Sequence, residues 1–544
     1  MTGTQTSTRT GGDVDSERLD HLGYRQELTR VLNLFQNFAV AFCYLSPLVG
    51  IYSLFALGAG AGGPRYLWLM PIVVGGQLMV ALVFAELGSH YPIAGALFHW
   101  GKNLLGGGYG WWVGWVYGWA LIITVASVDT GIAGYITTLV NNIFKTHLNG
   151  SAPNTILYVT LILLAIQTAF NVVGVRLLGL ISQIGVYVEI LGTLGVAALL
   201  AFEGFHHGFG YLFTTQGVQH AASNPFGVDF AGKWWLGAAF VAVLAHVYIF
   251  YGFESAGDVA EEVVDSSRRV PKAVISSLLV GGVTSFILVA ALLLAIPGGA
   301  GAFGKAISGG VSTIISANVT SPVLQDVVLA LVCFGFFSCG TAVQGAGARL
   351  VYSYARDGAV PGSRQLRKIS PRFRTPVNAL LVAAVIPVLF SLLAHYTPSK
   401  PVHVLWFVYP AKVNALFVLV SFGVSGIYLS FMMVVFAALV ARLRGWRPQG
   451  AFRMGWWGYP VIVVGLVYGV AMLVNIVAPT GVNSPRGALF NYGWLTLFVM
   501  LVILLIGAVY FVAARPQRRF ARRPPGGAPA PASPPRSAAR PTVG

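Results

Sequence analysis

The side chains most able to do chemistry here are a few acids set within long apolar stretches. Glu189 closes the run Gln183-Ile184-Gly185-Val186-Tyr187-Val188. Glu254 follows Phe250-Tyr251-Gly252-Phe253, and Asp129 stands beside Thr124, Ser127 and Thr130. A carboxylate in hydrocarbon is costly unless it is paired, protonated or solvated, so each is a candidate for carrying a proton or gripping a cation. Glu189 and Glu254 have no obvious cation beside them in sequence and are the candidates for a coupling proton. Asp129 could face the amine of a substrate. The bland alternative for all three is a hydrogen-bonded structural acid, or, for Glu254, a helix end already at the interface. His246, alone on an apolar stretch, reads as a satisfied core residue, and Lys412 as interfacial.

Two of the apolar runs are interrupted, and Glu254 lies within the second interruption. Ser46-Pro47-Leu48-Val49-Gly50-Ile51 places a proline and a glycine inside the first apolar run. Proline removes a backbone donor and clashes with the preceding turn, while glycine tolerates unusual dihedrals. A break there would free the N–H groups of Leu48, Val49 and Gly50 for an anion such as a carboxylate; a simple proline kink is the alternative. The second interruption, Phe250 to Gly257, combines Gly252 and Gly257 with Glu254 in the sixth apolar run. Free carbonyls near Phe250 and Tyr251 would suit a cationic amine, and Tyr248 offers it an aromatic face.

No P-loop, HExxH, dinucleotide fingerprint or haem-type Cys/His arrangement is present, so neither an enzyme nor a cofactor or metal site is expected. Cys43, Cys333 and Cys339 fall in apolar segments with no CxxC spacing and read as packing residues. The net charge of +17 comes from Lys and Arg in short links and tails. That placement, with no basic stripe of interleaved aromatics, argues against a nucleic-acid partner.

The elements that must position these residues are membrane spans. Of the 544 residues 56% are hydrophobic and 9% charged, far below the roughly one quarter typical of soluble chains. A spanning helix needs about 20 apolar residues. Twelve candidate spans lie near 32–57, 66–88, 109–142, 154–173, 178–203, 234–257, 273–297, 324–348, 377–395, 411–441, 458–478 and 490–514, with room for an extra short segment within 404–441. The fold class is therefore an all-α polytopic membrane protein. Residues 1–30 form an N-terminal tail, 31–515 the membrane domain (core about 31–441, peripheral helices about 458–514), and 516–544 a C-terminal tail, both tails reading as disordered. No cleavable signal peptide is expected. Links on the side of the N-terminus hold sixteen Lys and Arg against six on the other side, which predicts that both termini are cytoplasmic, in a cytoplasmic-membrane protein. Breaks five spans apart suggest two five-span repeats in inverted topology. A bundle with buried acids and two broken helices has the parts of a secondary transporter.

Four stretches, in order between residues 30 and 380, resemble the amino acid–polyamine–organocation transporter superfamily, most closely its amino acid/choline permease branch and bacterial γ-aminobutyrate-type permeases. They run from Asn33-Leu34-Phe35 through the first break to Gly62-Gly63-Pro64; over Glu86–Trp100; over Gly252–Glu262 and on to Arg268-Arg269-Val270-Pro271-Lys272; and over Ala348-Arg349, Ser353–Pro361 and Thr375–Ala379. The resemblance implies a ten-helix inverted-repeat core with two peripheral helices and a central site among spans one, three, six, eight and ten. Amides of the first break (Ser46, Leu48, Val49, Gly50) would hold a substrate carboxylate. Carbonyls of both breaks, those of Phe250, Tyr251 and Gly252 among them, would hold its amine. Tyr248 falls where relatives place an aromatic gate, Glu254 matches their sixth-span acid, and Glu189 lies where relatives handle the coupling ion. Glu86 is implied in a gating or structural contact. Glu261 and Glu262 are expected to pair with Arg268 and Arg269 on the cytoplasmic side. The expected activity is alternating-access transport of an amino acid, a γ-aminobutyrate-like compound or another amine, by H+ symport or exchange; a non-transporting receptor or channel-like protein is the alternative.

Overall fold

A computed structural model describes residues 15, 19–24, 26–216, 234, 238–299, 301–396, 400, 402–404, 407–409, 415–477 and 495–520. Among them ten helices are long and apolar enough to cross a membrane, and two shorter apolar helices, Ala238–Val247 and Val377–Leu392, stand at the sixth and ninth positions. All twelve expected spans thus have a helix.

The first span is two helices, α1 (Leu34–Leu45) and α2 (Pro47–Gly62). Asn33 starts α1 through a capping box: its Oδ1 accepts from Gln36 N at 2.9 Å, and Gln36 Oε1 accepts from Asn33 N at 3.0 Å. After span two, α3 (Met70–His90), a short α4 (Ala96–Leu105) leads into span three, α5 (Gly107–Phe144). Span four is α6 (Pro153–Val173). Span five is α7 (Val175–Ile190), a π-helical turn at Leu191–Gly195, then α8 (Val196–Glu203). The sixth span is α9 (Ala238–Val247), an irregular stretch, and one turn of helix, α10 (Ser255–Asp258). Span seven, α11 (Ser266–Leu294), is followed by the extramembrane α12 (Ala302–Asn318). Spans eight to twelve are α13 (Pro322–Arg356), α14 (Val377–His395), α15 (Ala415–Leu443), α16 (Gly458–Val477) and α17 (Leu495–Ala514).

Packing relates each of the first four spans to the one five places later. Span two packs on seven, three on eight, four on nine, and the outer half of span one on span six. That pattern is expected of two five-span repeats of inverted topology. Span ten closes against span three, span eleven against spans two and ten, and span twelve lies almost wholly on the lipid side. Outward faces carry exposed apolar rows such as Tyr158, Ile162 and Ile166 or Leu505, Val509 and Val512, as lipid contact requires.

The structure corrects the sequence reading in four places. Span eight runs on to Arg356, so Arg349 and Arg356, counted as loop cations, ride on the inner end of its helix. A short antiparallel hairpin, β1 (Val402–Val404) and β2 (Phe407–Tyr409), interrupts the otherwise helical chain near 404. The N-terminal segment expected to be disordered is partly packed: Leu19, Tyr24 and Leu28 are buried, and Asp15 Oδ2 accepts from Ser266 N at 2.7 Å. In the C-terminal tail Gln517–Phe520 forms a short helix. Residues 521–544, with Lys233, Lys412 and Arg486, lie outside the described residues.

Candidate functional site

Both interruptions are true breaks. At the first, Ser46 takes the left-handed conformation, φ 41°, and α2 restarts at Pro47, whose lack of an N–H is harmless at a first helical position. The freed amides of α2 are satisfied from within the protein. Leu48 N donates to Glu189 Oε2 at 3.2 Å, Ser46 Oγ–H donates to Glu189 Oε1, Val49 N donates back to Ser46 Oγ at 3.3 Å, and Gly50 N to Ser46 O at 3.1 Å. Glu189 is wholly buried, and the π-helical turn begins two residues beyond it, where Thr193 Oγ1 donates to Glu189 O at 2.6 Å. The sequence reading had sent these amides to a substrate carboxylate and Glu189 to ion coupling; the structure brings Glu189 to the first break.

At the second break the chain leaves helical geometry at Tyr248 and resumes it at Ser255. Gly252 has φ +106°, and a Cβ there would lie 2.7 Å from Leu45 N and 2.9 Å from Tyr44 C. Only glycine suits both that conformation and that approach of two backbones. Gly50 serves the opposite contact, since its Cβ would meet Ile249 Cγ1 at 2.5 Å. The two breaks therefore touch each other. Among the described residues no hydrogen bond is made to the carbonyls of Phe250 and Tyr251, which leaves them as acceptors beside the ring of Tyr251, edge-on to Tyr44 at 6.0 Å. Tyr248, nearly buried, places its hydroxyl 3.3 Å from Ser421 Oγ on span ten, bridging spans six and ten.

Glu254 folds back on its own break, accepting from Gly252 N at 2.8 Å. Its other oxygen lies 3.2 Å from Tyr117 Oη, and the same hydroxyl lies 2.8 Å from Asp258 Oδ2. One phenol on span three thus bridges two wholly buried acids. The hydroxyl joins the three groups into one buried hydrogen-bonded unit.

Asp129 is not brought to either break. Its Oδ1 accepts from Gln167 of span four at 2.7 Å, on the side that packs against Gly340 of span eight. Its neighbours Thr124 and Ser127 spend their hydroxyls on carbonyls of their own helix, Ala120 O and Thr124 O, both at 2.8 Å. Asp129 Oδ1 thus belongs to a buried polar seam between spans three, four and eight. His246 fits its core reading, stacked on Tyr66 with ring centroids 5.0 Å apart.

On the side of the N-terminus the expected partners change. Glu261 pairs in bidentate fashion with Arg356 at 2.6 and 3.1 Å, and Glu262 with Arg349 at 3.2 Å through both oxygens. Arg268, exposed on the first turn of α11, points away. Burial pushes the Glu262 carboxyl up and the Arg349 guanidinium draws it back. Glu86 bonds to Arg442 and accepts from Met454 N at 2.8 Å, tying span two to span ten. Tyr24 of the N-terminal segment lies 3.0 Å from the Asp357 carboxylate, which also pairs with Lys102. These contacts seal the base of the bundle beneath the two breaks.

Sequence reasoning missed Tyr117, Asp258 and Gln167. Asp258 had a signal, an acid four residues after Glu254; Tyr117 and Gln167 are identified only by their partners.

A family model for amino acid permeases matches residues 32–506. Amino-acid permease BAT1 of Arabidopsis thaliana is 26% identical over 486 residues, covering 86% of this chain and 89% of that protein. The GABA-specific permease of Saccharomyces cerevisiae is 22% identical, covering 88% of this chain and 81% of its own length. Among solved structures, MhsT in complex with L-phenylalanine superposes with a TM-score of 0.55 at 12% identity, over 81% of this chain and 97% of that one, a likeness of fold.

Proposed function

The chain belongs to the amino acid permease family, and on that premise we propose that it carries an amino acid or related amine across the cytoplasmic membrane by alternating access, driven by cotransported H+. The observation that carries the proposal is Glu189 seated on the Leu48 amide and the Ser46 hydroxyl at the first break. A helix N-terminus stabilises one anion, not two. While Glu189 is ionised it fills that place itself, so a substrate carboxylate competes with it. Protonated, Glu189 gives up its claim, and the amide of Leu48 and the hydroxyl of Ser46 turn to the substrate. A proton and a substrate thereby favour each other's binding, which is symport by linkage. The substrate amine meets the carbonyls of Phe250 and Tyr251 across the break, with Tyr248 closing over it. The Tyr117–Glu254–Asp258 unit beside this pocket is the second proton carrier.

Both termini lie in the cytoplasm in this reading, so the Glu261–Arg356 and Glu262–Arg349 pairs form an inner gate. The relatives are permeases by name, which favours a carrier over a receptor built on the same fold. The test is uptake of labelled γ-aminobutyrate and of a panel of amino acids into proteoliposomes. Saturable accumulation under an imposed pH gradient (acid outside), abolished by a protonophore, is expected. Uptake of a panel member that ignores the gradient would remove proton coupling, and absence of uptake across the whole panel would favour a different amine.

A further inference from the structure

A cavity of about 240 Å³ opens on the side opposite the N-terminus, between α2, the end of α5, α12 and the start of α13. At about 30 Å³ per water it has room for about eight waters, or one small amine. Its wall mixes hydroxyl and amide groups, from Thr138, Ser312, Ser316 and Gln325 among others, with apolar side chains such as Ile315 and Leu329. Among the described residues lining it, the one charged group is Asp326. Asn142 Nδ2 donates to Asp326 Oδ1 at 2.6 Å, which fixes the carboxylate at the rim. Tyr52 forms part of the wall. It is 6% exposed, and its hydroxyl is buried without a hydrogen-bond partner. Its backbone is pinned, since Tyr135 Oη donates to Tyr52 O at 2.8 Å.

A buried hydroxyl with no partner is costly unless a ligand or water supplies one. A single negative charge in a polar recess selects a cation. We propose that this cavity is an outer binding site for an organic ammonium group, held by Asp326 and received at its inner wall by Tyr52. The site lies on the way to the first break. Tyr52 is one turn beyond Leu48 on the same face of α2. A Cβ at Gly335 of α13 would touch Leu48 Cδ2 at 3.0 Å and lie 3.8 Å from Glu189 Oε1. About one helical turn, roughly 5–6 Å, separates the inner wall from the Leu48 contact that covers Glu189. The assignment of this side as outer, and of an amine as cargo, rests on the function proposed above; the binding site itself does not.

The experiment reads the site without transport. Thr138→Cys places a thiol on the wall, and the unsubstituted chain supplies the background from Cys43, Cys333 and Cys339. A trimethylammonioethyl methanethiosulfonate should label Thr138→Cys about tenfold faster than its sulfonatoethyl counterpart, the size expected of one carboxylate a few ångströms away in a largely aqueous recess. Adding Asp326→Asn should bring the ratio near one. Millimolar ethylammonium should slow labelling where Asp326 is present and not where it is absent. If Thr138→Cys folds poorly, Ser316→Cys reports the same wall. A ratio unchanged by Asp326→Asn, or no protection by ethylammonium, overturns the proposal. In liposomes Asp326→Asn should raise KM severalfold at constant maximal rate. An unchanged KM beside positive labelling overturns only the link to transport, and a chain that transports nothing yet shows charge-selective labelling overturns the transport reading and leaves the site standing.

Discussion

The backbone N–H of Leu48 donates to Oε2 of Glu189 across 3.2 Å, so a carboxylate of span five occupies the N-terminus of a half-helix of span one. In the proposed function that position is where a substrate carboxylate binds, which would make Glu189 a competitor whose charge decides access. Glu189→Gln keeps an oxygen for Leu48 N and Ser46 Oγ but cannot change its proton count. Uptake driven by a pH gradient should fall to the gradient-free level, while exchange of internal for external substrate stays measurable. Concentrative uptake by Glu189→Gln equal to that of the unsubstituted protein would move coupling elsewhere.

The phenol of Tyr117 is shared by Glu254 and Asp258. Removing it leaves two buried acids short of a donor, a loss of about 1–3 kcal/mol when a partner of a buried polar group is deleted. Tyr117→Phe should therefore lower the melting temperature of the purified protein. In an Asp258→Asn background, where one charge is already gone, the same substitution should cost less. Strictly additive losses in this double-mutant cycle would show that the three groups do not act as a unit.

Much of this arrangement was legible in the residues, and the reason differs from part to part. The spans announce themselves by length and hydropathy, and the breaks by Pro47 and Gly252, because those residue types act on their own backbone. Glu189 and Glu254 stood out because charge at membrane depth is expensive wherever it lies. What was hidden is partnership. Ser46 and Glu189 are 143 residues apart in sequence, and the reading of Glu261 and Glu262 went to Arg268 and Arg269 because those are near in the chain. The true partners, Arg349 and Arg356, arrive from span eight, whose helix outlasts its apolar run by about two turns. Asp129 failed for a related reason: a helix shows several faces, and its neighbours in sequence did not say which face meets the other break.

Gly252 tests the geometry of the second break. At φ +106°, a Cβ would stand 2.7 Å from Leu45 N and 2.9 Å from Tyr44 C, backbone atoms that cannot swing aside as a side chain can. Gly252→Ala should destabilise the protein by more than the about 1 kcal/mol of an ordinary glycine replacement, and Gly252→Leu should abolish transport while the chain still inserts. Membrane fractionation with uptake decides it. Wild-type uptake by Gly252→Leu would mean that the break is dispensable.

Orientation carries the assignment of inner gate and outer cavity. The sixteen-to-six bias of Lys and Arg between the two sides predicts that both termini are cytoplasmic. A fluorescent protein fused after Gly544 should fluoresce, and an alkaline phosphatase fused at the same point should stay inactive. An active phosphatase there would invert the molecule and exchange the two gates.

In the proposed function Tyr248 is where substrate grip and gate closure meet. Its ring stands beside the irregular stretch whose Phe250 and Tyr251 carbonyls are free, and its hydroxyl reaches Ser421 on span ten at 3.3 Å. The ring and the hydroxyl then have separable duties. An aromatic face attracts an ammonium by about 0.5–2 kcal/mol, so Tyr248→Ala should weaken substrate binding by roughly tenfold, the factor that about 1.4 kcal/mol represents. Tyr248→Phe keeps the ring and loses only the contact to Ser421, a neutral hydrogen bond worth about 0.5–1.5 kcal/mol. Its binding affinity should stay within a few-fold of the unsubstituted protein, and Ser421→Ala should reproduce whatever change it shows. Calorimetry on the purified variants separates the cases. Equal affinity in Tyr248→Ala and the unsubstituted protein would put the amine elsewhere, whereas a Tyr248→Phe loss as large as that of Tyr248→Ala would assign the grip to the hydroxyl rather than to the ring.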